Sequence, residues 1–247
     1  MNKNNEFKVR ENMKKYLLLL LVFLYAVLGC KTETIIETPK SIPMGSWNYT
    51  VSINGMLVGD AIVKSEQNNK HYITTVSMNM QLAEKIKIVS NDVLIETKAF
   101  VPVKYEMNST TSMQGKTQKT SMSVTFDDNN ITVVIDGRKE KLQLEKPFML
   151  AGNYFAHSQI EKGYKTGNTV EADVYIPALE LEDTIACKET VVGVEKVMIN
   201  GALETLIHLK QELDDVTYSE SYIDQHGIVH KIVMDLMNNK LELNIIK

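Results

Sequence analysis

The sequence predicts a mainly β protein, folded as a large curved antiparallel sheet or unclosed β-barrel with one short helix. Three observations predict this fold class. Apolar and polar residues alternate along most of the chain after residue 46, as in strands with one buried face. Asn-Gly and Asp-Gly pairs, which are strong hairpin-turn signals, separate several of these stretches. One segment, residues 147–164, breaks the alternation and has helical spacing instead.

The first strands of the predicted sheet are the clearest. The stretch SWNYTVSI, residues 46–53, alternates aromatic or aliphatic side chains with Asn, Thr and Ser, and Asn54-Gly55 follows as a turn. In the next strand Gly59 interrupts the apolar pattern, which predicts a bulge or a close approach of another backbone. The stretch HYITTVSMNMQL, residues 71–82, has the longest alternation and predicts a long strand of a large sheet.

The alternation continues to residue 144, with Asp136-Gly137 as a second strong hairpin turn. The stretch PFMLAGNYFAHSQIEKGY then predicts a short helix that ends near Gly163 and lies across the open face of the sheet as a lid or plug. Strands resume beyond it, with Asn200-Gly201 as a further turn; they are predicted at 170–176, 184–192, 195–199, 202–213, 216–224, 228–236 and 240–246. Because no internal linker divides these strands, residues 46–247 form a single predicted domain.

The amino-terminal region predicts export from the cytoplasm. Residues 16–29 are an apolar run of 14 residues, shorter than the ~20 of a membrane-spanning helix and within the ~7–15 of a signal-peptide core. Lys14 and Lys15 supply the positive charge that precedes such a core. Met13 directly precedes them, so translation starts at either Met1 or Met13.

The sequence VLGC, residues 27–30, resembles the lipobox of bacterial lipoproteins. The resemblance implies cleavage between Gly29 and Cys30, and attachment of a diacylglyceryl group to the Cys30 thiol. Residues 1–29 are then a lipoprotein signal peptide, and the polar residues 30–45 form a tether between membrane and domain. Lys31 follows the cysteine, where some lipoproteins retained at the inner membrane have aspartate, and this favours the outer membrane. The alternative is an ordinary secretory signal with an incidental cysteine.

The remaining chain resembles a group of uncharacterised bacterial periplasmic proteins. The resemblance is carried by WNYTVSINGMLVGDAIV, by FVPVKYEMN and by the closing hairpin SYIDQHGIVHKI. A similar closing hairpin occurs in the lipoprotein carriers LolA and LolB. The resemblance implies an unclosed β-barrel with helical cover over an apolar cavity, although this sequence predicts one helix where those carriers have more.

Composition and motifs argue against catalysis, metal binding and nucleic-acid binding. The net charge is −4 without a basic cluster, which excludes a nucleic-acid partner. No nucleophile–base, nucleotide-binding or metal-ligand motif is readable, so we expect no enzyme activity, no cofactor and no metal site. His226 and His230 are interpreted as solvated residues at strand ends, and Cys187 as a small buried apolar residue.

The function that these observations favour is binding or carriage of a lipid or another hydrophobic ligand by an envelope lipoprotein. The chain has 13 methionines, whose flexible side chains suit variable apolar surfaces. The predicted hydrophobic-ligand face consists of Tyr72, Val76, Met78, Met80, Leu82, Met122 and Phe126. The alternative function is a non-enzymatic scaffold that binds an envelope protein partner through its sheet.

Overall fold

The computed structural model describes residues 36–82, 86–150, 152–177, 180–214, 216–236 and 239–246; for 216–218 and 236 it describes the backbone alone. The predicted signal peptide, the cleavage site at Gly29 and the lipidation site at Cys30 lie outside the described residues and stay predictions. Among the described residues, no helix is long and apolar enough to cross a membrane.

The described chain forms fifteen strands and one helix. The strands of the first half are β1 Gly45–Ile53, β2 Met56–Gln67, β3 His71–Gln81, β4 Ile86–Thr97, β5 Pro102–Met113, β6 Lys116–Asp127, β7 Asn130–Ile135 and β8 Arg138–Gln143. The second half contains β9 Met149–Leu150, α1 Asn153–Lys162, β10 Thr169–Tyr175, β11 Ile185–Ile199, β12 Ala202–Leu213, β13 Val216–Ile223, β14 Val229–Leu236 and β15 Asn239–Ile245.

All of these strands belong to one sheet, in the order β8-β7-β6-β5-β4-β3-β2-β1-β15-β14-β13-β12-β11-β10-β9. Consecutive strands of the chain are therefore neighbours in the sheet, except β8 and β9, which are its two edge strands. In addition, β1 pairs with β15 and so joins the two ends of the described chain. The predicted mainly β, unclosed half-barrel is confirmed. One detail of the antiparallel prediction is wrong: the short strand β9 pairs with β10 in parallel, because α1 connects these two strands as a crossover.

The hairpin turns follow the sequence signals. Both residues of Asn54-Gly55, of Asp136-Gly137 and of Asn200-Gly201 have positive φ, as type I′ turns require. Gly59 fulfils both predictions made for it. The β1–β2 register shifts next to it, and a Cβ at this position would lie 2.0 Å from the carbonyl oxygen of Asn79 on β3.

Two predicted boundaries differ from the structure. The helix begins at Asn153 rather than near residue 147, because Phe148 and Leu150 pack into the core at the edge of the sheet. It ends at Gly163, as predicted, with this glycine in the left-handed conformation. The two strands predicted at 184–192 and 195–199 are one strand, β11, which continues through a register shift at Gly193.

Four clusters of buried side chains form the core, and each is named here by one member. The Tyr49 cluster lies on β1, β2 and β15 under the tip of the β11–β12 hairpin, where Ile199 and Leu206 pack against it. The Tyr105 cluster joins β5–β7 to Phe148 and Tyr175. Since those two residues come from the opposite end of the sheet, the sheet curls until its end strands approach each other. The Tyr164 and Phe155 clusters fill the space around α1, β10, β11 and β12.

The segment before β1 lies against the domain. Ile36 packs on the Tyr164 cluster, and the rings of Pro39 and Pro43 lie beside Gly227, where a Cβ would be 3.4 Å from atoms of both prolines. Residues 36–44 were predicted to belong to the tether, so this part of the predicted tether follows the surface of the domain.

Candidate ligand-binding face

The strand register places side chains in rows that cross the sheet. One row carries apolar side chains on β2, β3, β5 and β6, interrupted by one aspartate on β4. Its members are Val63, Val76, Asp92, Met107 and Met122. On the same face of these strands Ala61, Tyr105 and Val124 are buried, so the row faces the concave side of the half-barrel.

The convex face of the same strands is mostly polar. The neighbouring row on that side consists of Ile62, Ser77, Asn91, Asn108 and Ser121. The hydroxyl of Ser77 donates a hydrogen bond of 2.8 Å to Oδ1 of Asn91. Polar pairs of this kind suit a face in contact with water. The row on the concave face, by contrast, is mostly apolar.

The middle of the concave face is only half-buried. Met78 and Met80 on β3 pack against the Tyr49 cluster, and Met107 on β5 packs against the Tyr105 cluster. Val76 and Asp92 lie between the two clusters. All five side chains keep intermediate exposure. We call these five residues the central strip; it is an apolar surface between two packed regions, with one acid in it.

The structure brings three residues of the predicted ligand face together in this strip, namely Val76, Met78 and Met80. Met122 follows Met107 in the same row but is buried in the Tyr105 cluster. Leu82 directly follows β3 and is half-buried.

The other two predicted residues are engaged elsewhere. The ring of Tyr72 stacks on Phe100 with 5.6 Å between centroids, at the end of β3 that contacts the helix. Phe126 packs against Phe148 and Tyr175 in the Tyr105 cluster. Sequence reasoning missed Met107 and Asp92 as members of the site, because only the pairing of β4 with β5 places them beside Val76.

The carboxyl group of Asp92 is poorly compensated. Its Oδ1 is buried and has no hydrogen-bond partner among the described residues. Burial raises the pKa of this carboxyl above its ordinary value. The pKa of Tyr105 is raised to about 12, first by burial and then by the charge of Asp92, which indicates that the two side chains are near each other.

A second buried carboxyl, Glu96, holds the start of α1 on the concave face. Its Oε2 accepts hydrogen bonds from the backbone N–H of Asn153 at 3.3 Å and from Nδ2 of the same residue at 3.2 Å. Nδ2 of Asn153 also contacts the Thr74 hydroxyl at 3.4 Å. A Cβ at Gly152 would lie 3.0 Å from Oε2, so this glycine permits the close approach. Burial raises the pKa of Glu96, and the two bonds from Asn153 partly oppose that rise.

A third buried carboxyl lies on the other side of the helix. Oε2 of Glu189, on β11, accepts a hydrogen bond of 3.0 Å from Nε2 of Gln211, and the Ser219 hydroxyl donates to Oε1 of that glutamine at 3.3 Å. Gln159 of α1 is fully buried and donates from Nε2 to the backbone oxygen of Glu189 at 3.5 Å. Burial raises the pKa of Glu189 to about 7, although its hydrogen bonds oppose the rise. Glu96 and Glu189 thus seat the helix from two sides.

His230 is a further buried polar residue, and its interpretation as solvated is wrong. It is 9% exposed because Nδ1 contacts Oε2 of Glu204 at 2.7 Å and Nε2 contacts Oδ2 of Asp224 at 3.2 Å. These contacts join the β11–β12 hairpin to β14.

His226 is exposed, as predicted. The burial predicted for Cys187 is confirmed, and burial raises the pKa of its thiol to about 12.

The described surface has further recesses, which are lined mostly by polar or charged side chains. An open recess of about 570 Å³ lies over β10–β12 and is lined mainly by charged side chains: Glu171, Asp173, Lys188, Glu212 and Asp214. Within the part of the chain that the structure describes, no group of three or more His, Cys, Asp or Glu side chains is arranged to hold a metal ion.

Comparison with known proteins shows the fold. No family model matches the chain, and no curated protein matches it. A beta-barrel-like protein of the domain of unknown function DUF1849 from Brucella abortus has a similar structure, with a TM-score of 0.57 at 10% sequence identity; the match covers 82% of this chain and 95% of that one. A DUF1089 family protein from Pseudomonas aeruginosa matches with a TM-score of 0.37 at 12% identity over 81% of this chain and 95% of that one. The lipobox and the resemblance to LolA and LolB stay predictions.

Proposed function

We propose that the protein is a lipid-anchored envelope protein whose half-barrel binds a lipid or another hydrophobic ligand on its concave face. The observation that carries this proposal is the central strip. Apolar side chains there keep accessible surface on the side of the sheet that is otherwise packed, while the opposite face is mostly polar. Burial of that surface by a ligand would be favourable by about 25 cal/mol per Å².

The side chains and the direction of the strip suit a flexible hydrocarbon chain. Met78, Met80 and Met107 have unbranched side chains that adapt to different apolar shapes. The contacts of α1 with the first half of the sheet lie at Thr74, Glu96 and Phe100, toward one end of β3 and β4. The helix therefore caps one end of the concave face, and the strip extends away from it toward Met80.

The proposed anchor gives the binding site a location. A diacylglyceryl group on Cys30, with further acylation of the new amino terminus, would attach the protein stably to a membrane, since two or more acyl chains are needed for this. The binding domain would then lie within reach of the membrane surface from which a lipid ligand would come.

The experiment that tests the proposal is lipid analysis of residues 31–247, which retain the whole compact unit that begins at Ile36. The domain is purified from a bacterial host without detergent, and its organic extract is analysed by mass spectrometry. We expect about one lipid per protein. The absence of lipid together with the absence of binding to an uncharged fluorescent amphiphile would contradict ligand binding.

A second candidate function is a scaffold that binds an envelope protein, and exposed apolar residues at two hairpins favour it. Met56 and Leu57 follow the β1–β2 turn with 69% and 71% exposure, and Met198 and Leu203 flank the β11–β12 turn with 56% and 60%. A photocrosslinking residue at position 203 would yield one discrete adduct in cells if this function holds. The same residue at the exposed position 139 serves as the control.

A further inference from the structure

Asp92 is the one charged member of the central strip. It pairs in register with Val76 on β3 and with Met107 on β5, so apolar side chains flank it on both sides. Its Oδ1 is buried without a donor among the described residues. A carboxylate oxygen that is buried in this way loses hydration without a compensating hydrogen bond, which is unfavourable unless another group pairs with it.

No described lysine or arginine of the neighbouring strands is placed to supply that pair. Lys64, Lys87, Lys104 and Lys119 alternate onto the convex face of β2, β4, β5 and β6. Lys116 has the concave parity, but it is six positions along β6 from Met122, or about 20 Å at 3.4 Å per residue. The other acid on the concave face of β4, Glu96, is engaged with Asn153 of the helix.

We propose that the ligand is a cationic amphiphile, whose ammonium group pairs with Asp92 while its hydrocarbon chain lies on Val76, Met78, Met80 and Met107. This inference rests on the proposed ligand-binding function and adds the chemical class of the ligand. An ammonium group supplies both the charge and the hydrogen-bond donors that Asp92 lacks. Amphiphiles with an anionic head are disfavoured, because their head would lie beside the same carboxylate.

The test uses three photoreactive probes with the same diazirine-bearing, alkyne-tagged hydrocarbon chain and different heads: ammonium, carboxylate or hydroxyl. The full-length protein is labelled in the cell fraction in which it is recovered. The Asp92→Asn variant removes the charge at nearly constant shape. Asp60→Asn is the matched control, because Asp60 is exposed and accepts a hydrogen bond from Asn79 on the convex face.

We expect the ammonium probe to label the wild type most strongly, on peptides of β3–β5. Relative to the hydroxyl probe, this labelling should fall about tenfold in Asp92→Asn, the order of one charge-assisted hydrogen bond, and should not change in Asp60→Asn.

Labelling by the carboxylate probe that equals or exceeds that by the ammonium probe would overturn the inference. An ammonium preference that survives in Asp92→Asn would also overturn it. If the hydroxyl probe labels the concave face under either result, ligand binding itself still stands. Failure of all three probes to label β3–β5 would instead contradict the proposed function.

Discussion

At the scale of single residues, the buried carboxyl of Glu189 makes stability depend on pH. Its pKa rises from 4.5 to about 7 on folding because burial disfavours the charged form. The folded protein therefore binds a proton that the unfolded chain releases between about pH 4.5 and 7. Stability falls as the pH rises through this window, and the total loss from this group is about 3 kcal/mol.

We expect Glu189→Gln to remove this loss. A glutamine amide can donate to the neighbouring side-chain oxygens of Gln159 or Gln211 without carrying a charge. Urea unfolding at pH 5 and at pH 8 measures the effect. The two proteins should have similar free energies of unfolding at pH 5, and the variant should be the more stable one at pH 8. An equal pH dependence in both proteins would refute the account of Glu189.

At the scale of elements, Asn153 determines how the helix is seated on the sheet. Its side chain bridges Glu96 on β4 and Thr74 on β3. Asn153→Ala leaves the buried carboxyl with fewer donors, so we expect the free energy of unfolding to decrease by about 2 kcal/mol. The matched control is Asn79→Ala, which removes an exposed hydrogen bond to Asp60 and should change stability by less than about 0.5 kcal/mol. Equal effects in urea unfolding would contradict this role for Asn153.

Two adjacent residues of the β11–β12 hairpin show which of its faces packs against the sheet. Ile199 is 2% exposed and belongs to the Tyr49 cluster, whereas the adjacent Met198 is 56% exposed. We expect Ile199→Ala to cost about 2–5 kcal/mol and Met198→Ala less than about 0.5 kcal/mol. Thermal unfolding of both variants measures this difference. A larger effect of Met198→Ala would mean that the hairpin packs on the sheet by its other face.

The sequence was sufficient to predict the elements but not which face of each one is buried. Along β4 apolar residues lie on both faces. The register places Val89, Val93 and Ile95 on the convex side, and Ile86, Ile88 and Leu94 on the concave side together with Asp92 and Glu96. Alternation shows that a strand exists, while the buried face depends on partners distant in the chain: the helix at Glu96 and the methionines beside Asp92.

Long-range contacts explain the other differences too. His230 is buried because Glu204 on β12 reaches it across the sheet, and no local pattern around His230 indicates this contact. The helix starts late because Phe148 packs against Phe126 and Tyr175 from distant strands. By contrast, turns such as Asn54-Gly55 depend on their own two residues, and the sequence predicted them correctly.

At the scale of the whole molecule, we propose that the lipid anchor predicted at Cys30 holds the half-barrel at a membrane. The chain has two cysteines, so labelled palmitate can distinguish them. We expect wild type and Cys187→Ala to incorporate the label and to sediment with membranes. Cys30→Ser should do neither, because the predicted diacylglyceryl group is attached through the Cys30 sulfur. Label in Cys30→Ser, or its absence from the wild type, would contradict the anchor.

The central claim is that a hydrophobic ligand binds the concave face, and two adjacent residues of β3 test it most directly. Val76 belongs to the central strip, while Thr75 faces the convex side and pairs with Lys64. Binding of an uncharged fluorescent amphiphile is measured for Val76→Glu and Thr75→Glu, with circular dichroism to show that both variants fold. We predict that Val76→Glu loses binding at least about tenfold, the effect of about 1.4 kcal/mol, and that Thr75→Glu binds like the wild type. Equal binding by the two folded variants would contradict the claim.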